Sequence, residues 1–179
     1  MCGIFGFISN TRSSFSTVQM KSLMDFMLLL SETRGKDASG ILLLSNSEFT
    51  VFKKPLRAKR LLKTREYQQV IRDFSNRSGR DNETLGFLGH ARMVTNGSEE
   101  THENNQPILR HNMAMLHNGI IVNDAELWAQ FPDMKREYEV DTESALSLIN
   151  HYRSEGQIIP DAFASAFACL EGANTFAFV

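Results

Sequence analysis

Only two cysteines occur in the 179 residues, Cys2 and Cys169. A small secreted domain stapled by disulfides normally carries more, and two cysteines without metal-ligand spacing fit a reducing compartment. A secretory signal is missing as well, because the apolar run after Cys2 is short and broken by Gly3 and Gly6. No stretch approaches the roughly 18 apolar residues of a membrane span, so no membrane partner is expected. Met-Cys-Gly lacks the Met-Gly start of an N-myristoylated chain. An excess of one charge is also absent. The net charge is −2, and no basic stripe suggests a nucleic-acid partner. The densest basic run, Lys53 to Arg65, reads as a solvated loop and helix face. There is no internal repeat and no low-complexity tract. A cytoplasmic location is the default.

What is present suits one globular domain over residues 1–179. Hydrophobic residues make up 42% of the chain, with thirteen Phe and eight Met as core material. Gly3 to Ser9 reads as a buried strand and Asn10 to Ser14 as a loop. Ser16-Thr17-Val18-Gln19 has capping-box spacing, and Met20, Leu23, Met24, Met27 and Leu28 follow at helical intervals to about Leu30. Ser31 to Gly40 is a loop with two glycines. Ile41 to Leu44 and Thr50 to Phe52 are strands joined by a turn at Ser45 to Glu48. Leu61 to Phe74 reads as one helix and Asn76 to Glu83 as a loop. Leu85 to Leu88 starts a strand, Thr95 to Asn105 is a loop, and Met113 to Leu116 is a short strand. Asn123 can cap a helix with Glu126 at the box position. Asp141 to Arg153 and Pro160 to Leu170 are further helices. Thr175 to Val179 starts a core-type strand and stops, which suggests a fragment of a longer protein. Irregular alternation of short strands and helices predicts an α+β fold with antiparallel or mixed sheets.

Several short constellations could carry chemistry. A cysteine at position two becomes a first residue once Met1 is removed, and a free α-amine can then serve as base for the thiol. The alternative for Cys2 is a small buried hydrophobe. Arg92, at a strand end beside a polar loop, suits bidentate capture of a carboxylate; a surface salt bridge explains it equally well. His90 in the same stretch reads as a satisfied core imidazole. Asn118 and the Gly119 N–H are the kind of paired donors that stabilise an oxyanion, although Asn-Gly is also a turn dipeptide. Asp141 stands at a helix start, where a carboxylate can be a cap or a partner for an ammonium.

In order along the chain these pieces resemble the N-terminal-nucleophile glutaminase domain of class II glutamine amidotransferases. The resemblance rests on Cys2-Gly3-Ile4, the Arg34 to Gly40 loop, Gly89 to Gly97, Gln106-Pro107, His117-Asn118-Gly119 with Asn123, and Asp141-Thr142-Glu143. It implies a four-layer αββα fold with two stacked antiparallel sheets between helices. It implies glutamine as substrate, Cys2 as nucleophile, and Asn118 with Gly119 as oxyanion hole. Arg92 would hold the α-carboxylate, Asp141 the α-ammonium, and Thr95 would line the pocket. No cofactor or metal is implied. The ammonia would go to an acceptor domain of the same or a partner chain, absent here, and a homo-oligomer is compatible with this.

Met93 and Asn96 depart from the Trp and His of the sugar-aminating branch. Gln106-Pro107 looks like the purine or asparagine branches, while HNGIIVN looks like the glucosamine 6-phosphate synthase branch. The acceptor therefore stays open between sugar-phosphate and phosphoribosyl amination. Two other readings also stay open: a different N-terminal-cysteine amide hydrolase, and a catalytically silent binding domain.

Overall fold

The structure, a computed structural model, describes residues 2–9, 15–45, 48–78, 84–95 and 97–179. Met1, the expected loop at 10–14, the turn centre at 46–47, residues 79–83 and the departure at Asn96 lie outside the described residues.

Two antiparallel sheets carry the architecture. The first is built from β1 (Gly3–Ile8), β2 (Ala38–Ser45), β3 (Glu48–Lys54) and β4 (Leu85–Arg92), in the order β1-β4-β2-β3. Side chains alternate across a strand. The registers Phe5↔Gly89, Phe7↔Phe87 and Leu43↔Phe87 therefore gather one apolar face. On that face lie α1 (Thr17–Ser31), α2 (Ala58–Leu61) and α3 (Arg65–Arg77), which bury Met20, Met24, Leu28, Leu61, Tyr67, Ile71 and Phe74 against it. The capping box that starts α1 is formed: Ser16 Oγ accepts from Gln19 N, and Gln19 Oε1 accepts from Ser16 N.

The second sheet, β5 (Ile108–Arg110), β6 (Met113–Gly119) and β7 (Asn174–Phe178), has the order β5-β6-β7. Its Met113 and Met115 pack with α5 (Thr142–Ser154) and α6 (Ile159–Ala168) in a second core. The short α4 (Asp124–Gln130) adds Leu127. Strands β1 and β4 meet β6 across the gap between the sheets. The expected α+β class with antiparallel sheets is what the structure has.

Several local expectations need correction. Ala38-Ser39-Gly40 belongs to β2, because these small residues pair with Arg92, Ala91 and His90. Gly40 is required there: a Cβ would lie 2.0 Å from the Gln106 carbonyl oxygen. The helix expected from Leu61 to Phe74 is two helices, since Thr64 caps a new one by accepting from Tyr67 N. Strand β5 went unread because three residues show no period. Asn123 does stand at the start of α4, but its side chain is not the cap. It donates to Cys169 O and accepts from Glu171 N, tying down the chain after α6. The largest correction is Lys53. The register Gly40↔Lys53 turns its side chain to the face between the sheets, where it is 5% exposed, not solvated.

Gly89 faces the first core, and a Cβ there would lie 2.0 Å from the Phe5 ring. Gly89→Ala should cost about 2 kcal/mol by overpacking, read as a lower urea midpoint. Phe5→Leu in the same background should restore part of it. A midpoint equal to the parent's would show that the Phe5 ring can step aside.

Candidate active site

Cys2 precedes β1 and is half-buried. Its thiol lies on the main chain of Met93, accepting from the N–H at 3.3 Å with the carbonyl oxygen at 3.4 Å. Continuing the pairing Gly3↔Ala91 by one residue sets Cys2 abreast of Arg92. The loop from Arg34 to Asp37, just before β2, clamps both strands. Arg34 Nε donates to Cys2 O at 3.1 Å. Asp37 donates its N–H to Arg92 O and accepts from Val94 N at 2.8 Å. Gly35 packs so closely on β4 that a Cβ would meet Ala91 O at 2.4 Å.

Arg92 is buried, so a surface salt bridge does not describe it. Its guanidinium donates to Asn105 Oδ1 at 2.8 Å and to Gly97 O at 3.0 Å. Burial lowers its pKa. The nearby Cys2 and the Glu99, Asp37 and Asp141 carboxylates work against that. Those four groups reach it from the residues just before β1, β2 and α5 and from the adjoining loop. Thr95 is exposed on the loop after β4.

Asn118 and Gly119 lie inside β6, not in a turn. Alternation puts the Asn118 side chain with Ala114 and Leu116, on the face opposite Met113 and Met115. That face looks towards the first sheet. No side chain fits at position 119, where a Cβ would lie 2.3 Å from Ala173 O. The strand is held through both main-chain groups of His117. Its N–H donates to Gln106 Oε1 at 2.5 Å, and its carbonyl accepts from His90 Nε2 at 3.2 Å. A carbonyl can only accept, so His90 carries its proton on Nε2. Its Nδ1 has no partner among the described residues. The His117 ring stacks on Phe176 with centroids 4.6 Å apart, and sits between Asn174 Oδ1 at 2.8 Å and Thr142 Oγ1 at 3.2 Å.

Asp141 stands at the start of α5, yet its side chain makes no cap bond. One carboxylate oxygen accepts from Ile121 N at 2.9 Å, and the other lies 3.5 Å from His117 Nδ1. Burial opposes its charge, but His117 and the N–H groups of Ile121 and Thr142 outweigh it. The pKa falls below the ordinary carboxylate value. The following residues do different jobs. Thr142 Oγ1 accepts from Gln106 Nε2, while Glu143, fully buried, accepts from Glu137 N and Tyr138 N and pairs with Arg110.

Thus the structure brings Cys2, Arg92 and Asp141 within electrostatic reach. It places Asn118 and Gly119 at the end of the strand that faces them. Lys53, Asn105 and Asn174 also shape the site, and none stands out in the sequence. Lys53 alone leaves a trace, since it shares the strand parity of Val51 rather than of Phe52. Among the described residues no group of three His, Cys, Asp or Glu is placed to hold a metal ion. No helix of the described residues is long and apolar enough to cross a membrane.

Burial drives the His90 pKa from 6.5 down to about 3. The unfolded chain therefore takes up a proton below pH 6.5 that the folded chain refuses. Stability should fall as pH drops through that window, by up to about 1.4 kcal/mol per pH unit for one proton. His90→Gln should flatten that part of a denaturant midpoint series between pH 7 and pH 4. Equal slopes in parent and variant would assign the acid sensitivity elsewhere.

A family model described as a glutamine amidotransferase domain matches residues 90–178. The chain is 31% identical over 175 residues to a glutamine–fructose-6-phosphate aminotransferase (isomerizing) of Staphylococcus epidermidis, an alignment covering 96% of this chain and 26% of that protein. Its counterpart from Staphylococcus aureus is 30% identical over the same length and coverage. The chain thus spans about a quarter of the length of these curated relatives. The solved glutamine phosphoribosylpyrophosphate amidotransferase of B. subtilis, complexed with ADP and GMP, shares the fold with a TM-score of 0.63. It is 23% identical, with 98% of this chain and 34% of that one covered. A structure described as the allosteric regulatory enzyme of purine biosynthesis gives 0.64 at 22% identity, covering 98% and 35%. The ordered motifs, the two-sheet fold and these alignments agree: the chain belongs to the class II glutamine amidotransferase family and forms a glutamine amidotransferase domain.

Proposed function

We propose that this domain hydrolyses the side-chain amide of glutamine through a thioester on Cys2, and passes the ammonia to an acceptor domain outside these 179 residues. The observation that carries the reading is the nearness of two groups to the Arg92 guanidinium: the Cys2 thiol and the Asp141 carboxylate. A free amino acid presents a carboxylate and an ammonium at one end and its amide at the other. A cation and an anion beside a nucleophile match that pattern. Arg92 takes the α-carboxylate with a guanidinium already oriented by Asn105 and Gly97 O. Asp141 keeps its charge and has acceptor sites beyond those used by Ile121 and His117. Thr95 lines the entrance.

In this reading the Cys2 thiol passes its proton to its own α-amine and the sulfur attacks the amide carbon. The Asn118 amide and the Gly119 N–H donate to the oxyanion, which is the largest single effect such a site supplies. The α-amine returns the proton to the leaving nitrogen and ammonia departs. Water then attacks the γ-glutamyl thioester, releasing glutamate and the thiol. The arrangement of two sheets with helices against their outer faces supports a four-layer αββα nucleophile-hydrolase fold over residues 1–179. The name of the curated relatives favours amination of a sugar phosphate, and the name of the solved structure with the same fold keeps a phosphoribosyl compound as the second candidate.

The kinetic test is a panel on glutamine hydrolysis. Cys2→Ala should abolish it in a protein that still folds. Arg92→Ala and Asp141→Ala should each remove a charge-assisted contact worth about 1.5 to 3 kcal/mol, a tenfold or larger loss in glutamine affinity. Measurable turnover by Cys2→Ala would defeat the nucleophile assignment. Hydrolysis of a simple acyl amide as fast as glutamine would favour a different cysteine hydrolase. Lack of selective labelling of Cys2 by a glutamine-like electrophile would favour a silent binding domain.

The α-amine step also sets a maturation requirement. With Met1 attached, the Cys2 nitrogen is an amide and cannot take the proton. The Met1-bearing form should be essentially inactive and its trimmed form active, as read by intact mass and activity on one preparation. A fully Met1-bearing sample that turns over glutamine at the trimmed rate would require another base.

A further inference from the structure

Lys53 is an odd residue for its place. It lies across from Gly40, and Gly40 in turn pairs with His90, so the three share one row on the face between the sheets. A buried ammonium needs its three N–H donors satisfied. Here all three have main-chain partners: Asn105 O at 2.5 Å, Pro107 O at 2.9 Å and Glu103 O at 3.4 Å. The bare Gly40 leaves room for the Gln106 carbonyl to pack against the sheet beside it.

The segment from Glu103 to Pro107 has no β-ladder of its own, yet its side chains reach both ends of the site. Asn105 Oδ1 accepts from Arg92, and Asn105 Nδ2 donates to Glu99 O. Gln106 Oε1 accepts from the His117 N–H, one residue before Asn118, and its Nε2 donates to Thr142 beside Asp141. We infer that Lys53 is a positioning residue: through the 103–107 segment it sets both the orientation of Arg92 and the seat of the β6 end that carries Asn118 and Gly119. The catalytic part of this inference rests on the glutaminase reading above.

An apolar side chain at position 53 would leave three converging carbonyls without a donor. An arginine would offer a planar fork where a point donor is needed. Burial pulls the Lys53 pKa down to about 8; the Glu103 carboxylate opposes this and Arg92 adds to it. Even so, the ammonium remains the main form at neutral pH.

The test compares Lys53→Met and Lys53→Gln with the parent, all Met1-trimmed. In Lys53→Met the KM for glutamine should rise about tenfold or more through the loosened Arg92, and kcat should fall as well through the loosened Asn118 and Gly119. Alkylation of Cys2 by iodoacetamide, which has no carboxylate to hold, should stay within about twofold of the parent. Lys53→Gln keeps two N–H donors and should recover part of the KM, and it serves alone if Lys53→Met does not fold. Hydrogen exchange provides a readout free of turnover: the His117 amide should lose protection while the amides of β1 keep theirs. A folded variant with parental KM, or with parental protection at His117, overturns the inference. A parent that does not hydrolyse glutamine defeats the glutaminase reading instead, and the exchange data then decide the role of Lys53 by themselves.

Discussion

The two sheets of this domain meet through the buried Leu42, Ala114 and Leu116 and, beside them, through polar groups most of which find a partner away from water. The grip on His117 shows the constraint most directly. Its N–H is taken by Gln106 and its carbonyl by His90, so β6 is fixed against the first sheet by hydrogen bonds rather than by apolar packing alone. Leaving a buried donor or acceptor unpaired costs about 1 to 3 kcal/mol. That penalty makes the spacing between the sheets specific. His90 stays neutral because its ring is sealed from solvent, and it can then serve as a fixed N–H donor.

The same constraint separates support from chemistry. The apolar cores lie on the outer sides of the sheets, under α1 and α3 on one side and α5 and α6 on the other. The polar groups gather at one end of the gap, where β1 begins, β4 and β6 end, and α5 starts. In the proposed reading, an N-terminal nucleophile needs such a place. Its chain end must reach the site, while the strand behind it is held by a full antiparallel ladder with β4. Arg34 and Asp37 extend that ladder by clamping the main chain at Cys2, Arg92 and Val94.

Glycine and asparagine are used here for space and for bonding more than for turns. Gly35, Gly40 and Gly119 each face a carbonyl oxygen at a distance no Cβ could tolerate. Asn105 and Asn123 each tie loops to distant elements through both ends of the amide. Such roles follow from what stands opposite in the fold. Local rules therefore misread Asn123 as a cap and Asn118-Gly119 as a turn signal.

Local order settled much of this protein. The α1 capping box, the apolar period of α5, the β2–β3 hairpin and the order of the motif blocks are written in neighbouring residues, because short-range spacing is what creates them. The family, too, was legible in that order. The tertiary structure decided what depends on pairing across long separations. It put Lys53 inside rather than in solvent, broke one expected helix at Thr64, and drew Ala38 to Gly40 into a strand. It turned Asp141 from a cap into a partner of Ile121 and His117. Thr64 acts through a local cap on Tyr67, but in the other cases the deciding group lies far along the chain, and no local period can report which carbonyl or carboxylate will stand opposite.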